Sequence, residues 1–523
     1  MPTKKYVANA DNTIANAFQL NLKTRGTGAN TGQADVLEMY SIYGRESSGS
    51  QELSRILIQF PVNTISTHRT QGSIPDSGSV SFYLKIYNAE TSNTVPRDFS
   101  ATVQAISRSW QEGEGLDLEG YKDLTRGNIG SNWLYASKTQ TWDTVGGDYL
   151  TSSGQWDQAT EPPQYTQSFE TGLEDIEIDI TSLVEDWIAG NLGNYGVGVR
   201  LSSSFEAYFS SSSGLNTGSI IHNTGGATDS YYTKRFFARS SQYFFKRPVI
   251  EARWNDIKRD DRGEFFYSSS LATADDNLNT LYIYNYVRGR LTNIPAIGTT
   301  GSIMVSLYSG SSDDSEPSGS RLVLYDGTTS ITGGFVSTGI YSCSIAITSA
   351  ATPISTLYDV WHSGSDADEH ASTTEFLTSS IKPKSLLGNT AARKPVYFIN
   401  ITNLQNEYAK NENARFNLFV RNKFWSPTIY TKAKETPEHS PIMSASYRVF
   451  RTFDALEVIP YNTGSDFATG LSYDVSGNYF ELDMSNLEPG YEYGFKFAFY
   501  DEEINSWNEQ NKIFKFRVLD YEY

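Results

Sequence analysis

Residues 487–499 read LEPGYEYGFKFAF, and the spacing of their aromatic residues decides the fold class. After the Pro489-Gly490 turn, Tyr491, Tyr493, Phe495, Phe497 and Phe499 recur at period two. That is the repeat of a β-strand, in which alternate side chains share one face; a helix would spread the five rings around its circumference. The pattern predicts one fully buried aromatic sheet face entered through a Pro-Gly turn.

Moving outward from this stretch, the flanking sequence repeats the signal. Strands are expected at 396–401 (VYFINI), 414–420 (ARFNLFV), 444–450, 479–482 and 512–518. Further upstream they are expected at 280–287 (TLYIYNYV), 302–308 (SIMVSLY), 321–325 (RLVLY) and 339–347, between turns rich in Ser, Gly and Asp. In the first half, 54–60 (SRILIQF), 79–87 (SVSFYLKIY) and 196–201 (GVGVRL) stand out, with Phe82, Leu84 and Ile86 on one face. One helix is expected at 182–189, where Leu183, Val184, Trp187 and Ile188 fall on one side, Ser182 and Glu185 fit a capping box, and Gly190 ends it. The alternation Ile176, Ile178, Ile180 places a strand directly before it.

The fold class is therefore all-β, as three β-sandwich domains in series: 1–255, 256–390 and 391–523. The charged, apolar-poor segment 254–263 (WNDIKRDDRG) suits a boundary turn. Composition agrees, since 14% of the 523 residues are aromatic and such residues fit pleated, half-buried surfaces. The net charge of −18 excludes nucleic acid as a partner, because neutralising a phosphate backbone needs a clustered basic surface. Cys343 is the single cysteine, so no intrachain disulfide and no cysteine metal site can form. No window has the apolar length of a membrane helix, and the N-terminal residues lack a secretory apolar run. Synthesis in a reducing cytosol, display outside it and no membrane insertion are the expectation.

The first half also resembles a known family, the DNRLRE-type domains of secreted bacterial surface proteins, some of which are described as carbohydrate-binding modules. The resemblance rests on an ordered series: ADNTI at 10–14, RILIQFP at 55–61, the strand at 81–87, Trp110-Gln-Glu112-Gly113, Trp133, Trp142 with Gly146-Gly147-Asp148, IDIT at 178–181 through Trp187, Asn194-Tyr195-Gly196, and FFAR at 236–239 with Arg247-Pro248. It implies a β-sandwich with glycan binding as one possible role. The Ser/Gly-rich stretch 202–230 is longer than the family's usual connection, so a projecting loop or hairpin particular to this protein is expected there. The aromatic strand at 491–499 resembles the tyrosine-corner region of immunoglobulin-like and fibronectin-type domains, which implies an Ig-like third domain.

Candidate chemistry is sparse. Ser-Gly-Ser runs such as 48–50 lie in turn-like sequence with no following helix, unlike a nucleophile elbow. The five histidines lack metal-ligand spacing; the one local cluster is Asp366, Asp368, Glu369 and His370, with His362 upstream, which reads first as a solvated acidic loop and second as a divalent-cation site. Glu112, Glu114, Asp117 and Glu119 follow Trp110 in a Gly-rich loop, a grouping that suits solvent before it suits calcium or a sugar. Trp133, Trp142 and Tyr149 are the glycan-stacking candidates, set against core packing as the plainer role.

The sequence thus predicts a non-enzymatic virion structural protein, as in capsid decoration, a collar or a tail. It would be assembled in multiple copies with other virion proteins, with host polysaccharide as a further partner and no cofactor. The alternative is a carbohydrate-binding cell-surface adhesin, and a glycan-cleaving enzyme ranks last, since fold resemblance alone establishes no activity.

Overall fold

The computed structural model describes residues 2–44, 50–91, 94–116, 130–150, 164–210, 218–348, 354–364, 374–384, 395–425, 429, 439–501 and 504–520. The protein is all-β in several sheets, forming two compact units. One comprises Met1–Asn255 with Asn462–Ala468 and Ser485–Glu488; the other comprises Asp256–Tyr461, Thr469–Met484 and Pro489–Tyr523. The segments expected as second and third domains lie together in the second unit, each with its own sheets.

The first unit contains β1 (Thr3–Val7), β2 (Ala10–Ala15), β3 (Val36–Gly44), β4 (Ser50–Gln59), α1 (Val62–Thr70), β5 (Ser81–Ile86), β6 (Phe99–Ala105), β7 (Tyr135–Ser137), β8 (Gln140–Thr141), β9 (Gln164–Phe169), β10 (Ile176–Asp179), α2 (Thr181–Ala189), β11 (Val197–Leu201), β12 (Tyr231–Phe237) and β13 (Val249–Arg253). One sheet runs β1-β13-β5-β10, the other β12-β3-β4-β11-β6-β9, with β2 joining β4. Phe82, Leu84 and Ile86 of β5 meet Ile56 and Ile58 of β4 and Val197 and Val199 of β11 in one core. Since successive strand residues face opposite ways, Leu53, Arg55 and Leu57 point to the other side of β4. There a second apolar layer contains Leu53, Leu57, Ile106, Trp133, Trp142 and Ala207.

Helix α2 buries Leu183, Val184 and Trp187 and ends at Gly190, left-handed at φ 77°, as its sequence predicts. Its start differs, because Ile180 is the N-cap and Ser182 lies inside the helix. Thr181 and Asp179 close the first turn instead, through Thr181 N and Oγ1 donating to Asp179 Oδ1 at 2.9 and 2.6 Å. Glu185 leaves the cap to form a two-pronged pair with Arg69 of α1, both bonds 2.6 Å. Helix α1 was not expected: Val-Asn-Thr-Ile-Ser-Thr is rich in residues of poor helix propensity. It is held by burial of Val62 and Ile65.

The second unit begins with β14 (Asn279–Tyr284), β15 (Tyr286–Val287), β16 (Arg290–Leu291), β17 (Ile303–Gly310), β18 (Pro317–Ser318), β19 (Ile331–Ser337), β20 (Ile340–Ile345), β21 (Leu357–His362) and β22 (Glu375–Ile381). Their main sheet runs β14-β20-β19-β17-β21-β22, and its two halves share one core containing Leu281, Tyr341, Val305 and Trp361. Residues 321–325 are not a strand, although Leu322 N donates to Leu307 O of β17 at 2.8 Å, on the stretch of that edge between β18 and β19. Only Leu324 of that stretch is buried, while Val323 and Tyr325 face solvent.

The division between the two units falls inside the charged segment, between Asn255 and Asp256, and Asp260 and Arg262 further along it are packed. Asp260 and Asp359 are both buried and share the Arg262 guanidinium, which reaches Asp359 Oδ2 at 2.6 Å and Asp260 Oδ2 at 3.1 Å. Trp361 Nε1 also donates to Asp359 Oδ2 at 2.8 Å. Burial pushes the Asp260 carboxyl up to about 6, with Arg262 opposing the shift.

The last strands are β23 (Tyr397–Ile401), β24 (Glu407–Ala409), β25 (Asn413–Asn422), β26 (Ala445–Arg451), β27 (Glu457–Ile459), β28 (Ser472–Asp474), β29 (Gly477–Asp483), β30 (Glu492–Asp501), β31 (Ser506–Glu509) and β32 (Phe514–Leu519). They form sheets β23-β25-β29-β28 and β24-β32-β30-β26-β27, with β24 parallel to β32. This is an Ig-like arrangement of two facing sheets. Phe495 sits at its centre, with ring centroids 4.8 Å from Phe416, 4.7 Å from Phe516 and 5.2 Å from Phe480. Four of the five period-two rings are buried as expected. Tyr491 precedes the strand and stays partly exposed beneath Arg451, 4.6 Å from the ring centroid.

Candidate functional site

On the outer side of β4, β11 and β6, the first unit opens into a cleft with a cavity volume of about 610 Å³. Its strands supply Arg55, Arg200 and Gln104, the loop before β9 supplies Tyr149, and the segment after β11 supplies Glu206 and Asn223. Each arginine alternates with aliphatic neighbours that face the sandwich core, so the pleat itself aims both guanidiniums outward.

Arg55 and Glu206 are buried and form a two-pronged pair, Nε to Oε1 and Nη2 to Oε2, both at 2.9 Å. Arg55 Nη1 donates to Gly146 O at 3.2 Å. Burial opposes the charge on Arg55, but Glu206 and Tyr149 together outweigh it and the pKa is raised. Arg200 is placed differently. Its Nη2 donates to Gln104 Oε1 at 2.7 Å, and its guanidinium lies 4.8 Å from the Tyr149 ring centroid. Among the described residues no carboxylate stands within ion-pairing distance of it. Burial and the neighbouring Arg55 both lower its pKa, although an arginine stays charged at any physiological pH. The floor therefore carries two guanidiniums and the Glu206 carboxylate, while the other two carboxylates of the lining, Asp143 and Asp148, are held by Arg108.

Tyr149 is fixed between these groups. Its hydroxyl donates to Gly146 O at 3.0 Å, and Gly198 of β11 lies against the ring so closely that a Cβ there would meet Cε1 at 2.1 Å. At the rim, Asp148 holds its loop by accepting from Asp143 N and Thr144 N at 2.9 and 2.8 Å, and Arg108 pairs with both aspartates. Arg200 and Glu206 were not singled out from sequence. The available signal was an arginine inside the aliphatic alternation Val197, Val199, Leu201.

The sequence candidates separate. Trp133 and Trp142 are buried, and their indole N–H groups donate to Ser219 O and Asn132 O, both at 2.8 Å. Removing roughly 200 Å² of such a ring from water, at about 25 cal/mol per Å², favours folding by ~5 kcal/mol before entropy. Both rings are enclosed in the fold, and of the three stacking candidates only Tyr149 lines the cleft. The described parts of 202–230 fold back rather than project: Ser219 caps Trp133, and Gln51 Nε2 donates to Ala207 O and Ile221 O at 2.8 and 3.1 Å. This long connection builds one wall of the cleft.

Glu112 is a clasp, paired with Arg239 through bonds of 2.6 and 2.7 Å and accepting from Asp11 N at 2.8 Å. Asp117 and Glu119 lie outside the described residues, as do Asp366, Asp368, Glu369 and His370. His362 is buried on β21, with Nε2 3.0 Å from Ser306 Oγ. Among the described residues no group of three His, Cys, Asp or Glu is placed to hold a metal ion, and no helix is long and apolar enough to cross a membrane.

No family model and no curated protein matches the chain. Solved structures share distant likeness. The titin domains Z1Z2 in complex with telethonin match at 12% identity over 42% of this chain and 83% of that one, with a TM-score of 0.13. Trypsin-activated alpha-2-macroglobulin from Escherichia coli matches at 7% identity over 90% of this chain and 24% of that one, with a TM-score of 0.15. Salmonella alpha-2-macroglobulin reacted with methylamine matches at 6% over 100% and 27%, also at 0.15.

Proposed function

We propose that this chain is a non-enzymatic structural protein of an extracellular assembly, a virion in the first instance, whose first unit holds an acidic polysaccharide in the cleft beside Arg200. The observation that carries the glycan reading is Arg200 itself: a guanidinium without a carboxylate partner among the described residues, set over a fixed tyrosine ring in an open polar cleft. A carboxylate or sulfate on a sugar would complete its hydrogen bonds, and the Tyr149 ring offers apolar surface beside it. What supports the structural role is a series of disulfide-free β modules with a net charge of −18, suited to a soluble component used in many copies.

Affinity electrophoresis of the full chain through gels containing polyuronate, sulfated or neutral polymers tests this. Retardation by acidic polymers, weakened by salt and lost in Arg200→Gln, is expected. Equal retardation of wild type and Arg200→Gln would overturn the assignment, as would a preference for neutral polymers. An antibody raised against this chain should label purified virus particles, and absence of the chain there would leave the adhesin reading.

A further inference from the structure

Lys234, on β12, is a buried lysine that the cleft does not use. Its Nζ donates to Asn88 Oδ1 at 2.6 Å and to the carbonyls of Gly172 and Glu174, both at 2.9 Å. The rings of Phe169 and Phe236 flank it, with centroids 5.0 and 4.9 Å from Nζ. Asn88 is itself anchored. It bridges to Phe236 just past the end of β5, and its N–H donates to Asp175 Oδ1 at 2.7 Å. A primary amine and a carboxamide thus meet beside two aromatic rings, and the exposed carboxylate of Asp175 holds the backbone of Asn88 in place.

We propose that Lys234 and Asn88 join in an intramolecular isopeptide bond. The neutral amine attacks Asn88 Cγ, the new bond is Nζ–Cγ, and the bond that breaks is Cγ–Nδ2. Nitrogen Nδ2 departs as ammonia, carrying the proton that Nζ gives up. The exchange of one amide for another is redox-neutral and needs no co-reactant.

Three features favour this over a plain hydrogen-bonded ammonium. Burial lowers the Lys234 pKa to about 8, against the opposing pull of Asp175 and Glu174, so part of the amine is neutral near physiological pH. Of the three carbonyl groups around Nζ, only Asn88 has a leaving group whose departure does not cut the chain. The terminal torsion of asparagine is broad, so a turn about Cβ–Cγ presents the carbonyl carbon to Nζ without moving the backbone. Holding both groups in place supplies the effective concentration that an uncatalysed amide exchange lacks.

Denaturing intact-mass measurement of the full chain, with peptide mapping, decides the matter. The expected result is a mass short by one ammonia and a branched peptide joining Lys234 to Asn88. Asn88→Asp should lose one water instead, and Lys234→Arg should keep its full mass. A wild-type chain of full mass with trypsin cleaving after Lys234 overturns the proposal; so does an ammonia loss that persists in Lys234→Arg.

Discussion

The guanidinium groups of Arg55 and Arg200 and that of Arg262 differ in how many carboxylates come with them. In the first unit, Arg55 takes the carboxylate of Glu206 while Arg200 beside it donates to Gln104, next to open volume. In the second unit, Arg262 alone serves Asp260 and Asp359 inside a closed core. A guanidinium that faces open volume without an ion pair of its own leaves donors for an incoming anion. A surplus of acid away from solvent has no such outlet and is relieved by keeping a proton. The count of charges, read together with the presence of space, separates a binding surface from a structural clamp.

The sharpest way to break this contrast is Glu206→Gln. It leaves Arg55 buried without its partner, and losing one member of such a pair typically costs about 3–5 kcal/mol, readable as a lower urea midpoint. Where the variant still folds, retention on acidic polymers should rise, because the floor gains one net positive charge. Unchanged stability would mean that the pair does not hold the cleft together.

A smaller effect is expected at the clamp. Folded Asp260 keeps its proton up to about pH 6, whereas an unfolded aspartate loses it near pH 4. Folding therefore favours the protonated form, and the associated stability is complete below pH 4 and lost as pH rises through 6. Asp260→Asn should match wild type in the acid range and exceed it by roughly 3 kcal/mol above pH 7, checked by chemical denaturation across pH. Parallel profiles for the two proteins would remove the titrating clamp from the comparison.

The smallest effect belongs to Trp142→Phe. It deletes the indole bond to Asn132 O and should lower stability by about 1 kcal/mol while leaving polymer retention intact. Loss of retention in a folded variant would move the glycan surface from the cleft to this ring.

Strand patterning was legible wherever the two faces of a strand differ in polarity. Phe82, Leu84 and Ile86, or Tyr493 through Phe499, announce both the strand and its buried side. Helix α1 was hidden because Val62 and Ile65 are its only buried residues and its composition favours extended structure. The site was harder still. Trp133 and Trp142 stand out in sequence yet lie beneath the connection 202–230, whose return path no local pattern encodes. Arg200 looks ordinary in sequence, and its lack of a carboxylate partner emerges only when β6, β11 and the Tyr149 loop come together. Segment 254–263 was read as a boundary, and the two units divide within it; the packing of Asp260 against Arg262 was hidden because a run of charges does not show which of them find partners.

Strands β1 and β13 pair antiparallel from Thr3↔Arg253 to Val7↔Val249, so the chain enters and leaves this ladder at the same end. Tension applied across residues 2 and 254 would open the ladder as a zipper, one rung at a time and at low force. In the Ig-like sandwich, β24 and β32 run side by side in parallel, so pulling them in opposite directions along their length loads their hydrogen bonds in shear, all at once. Under such loads the first sandwich would yield before the Ig-like one.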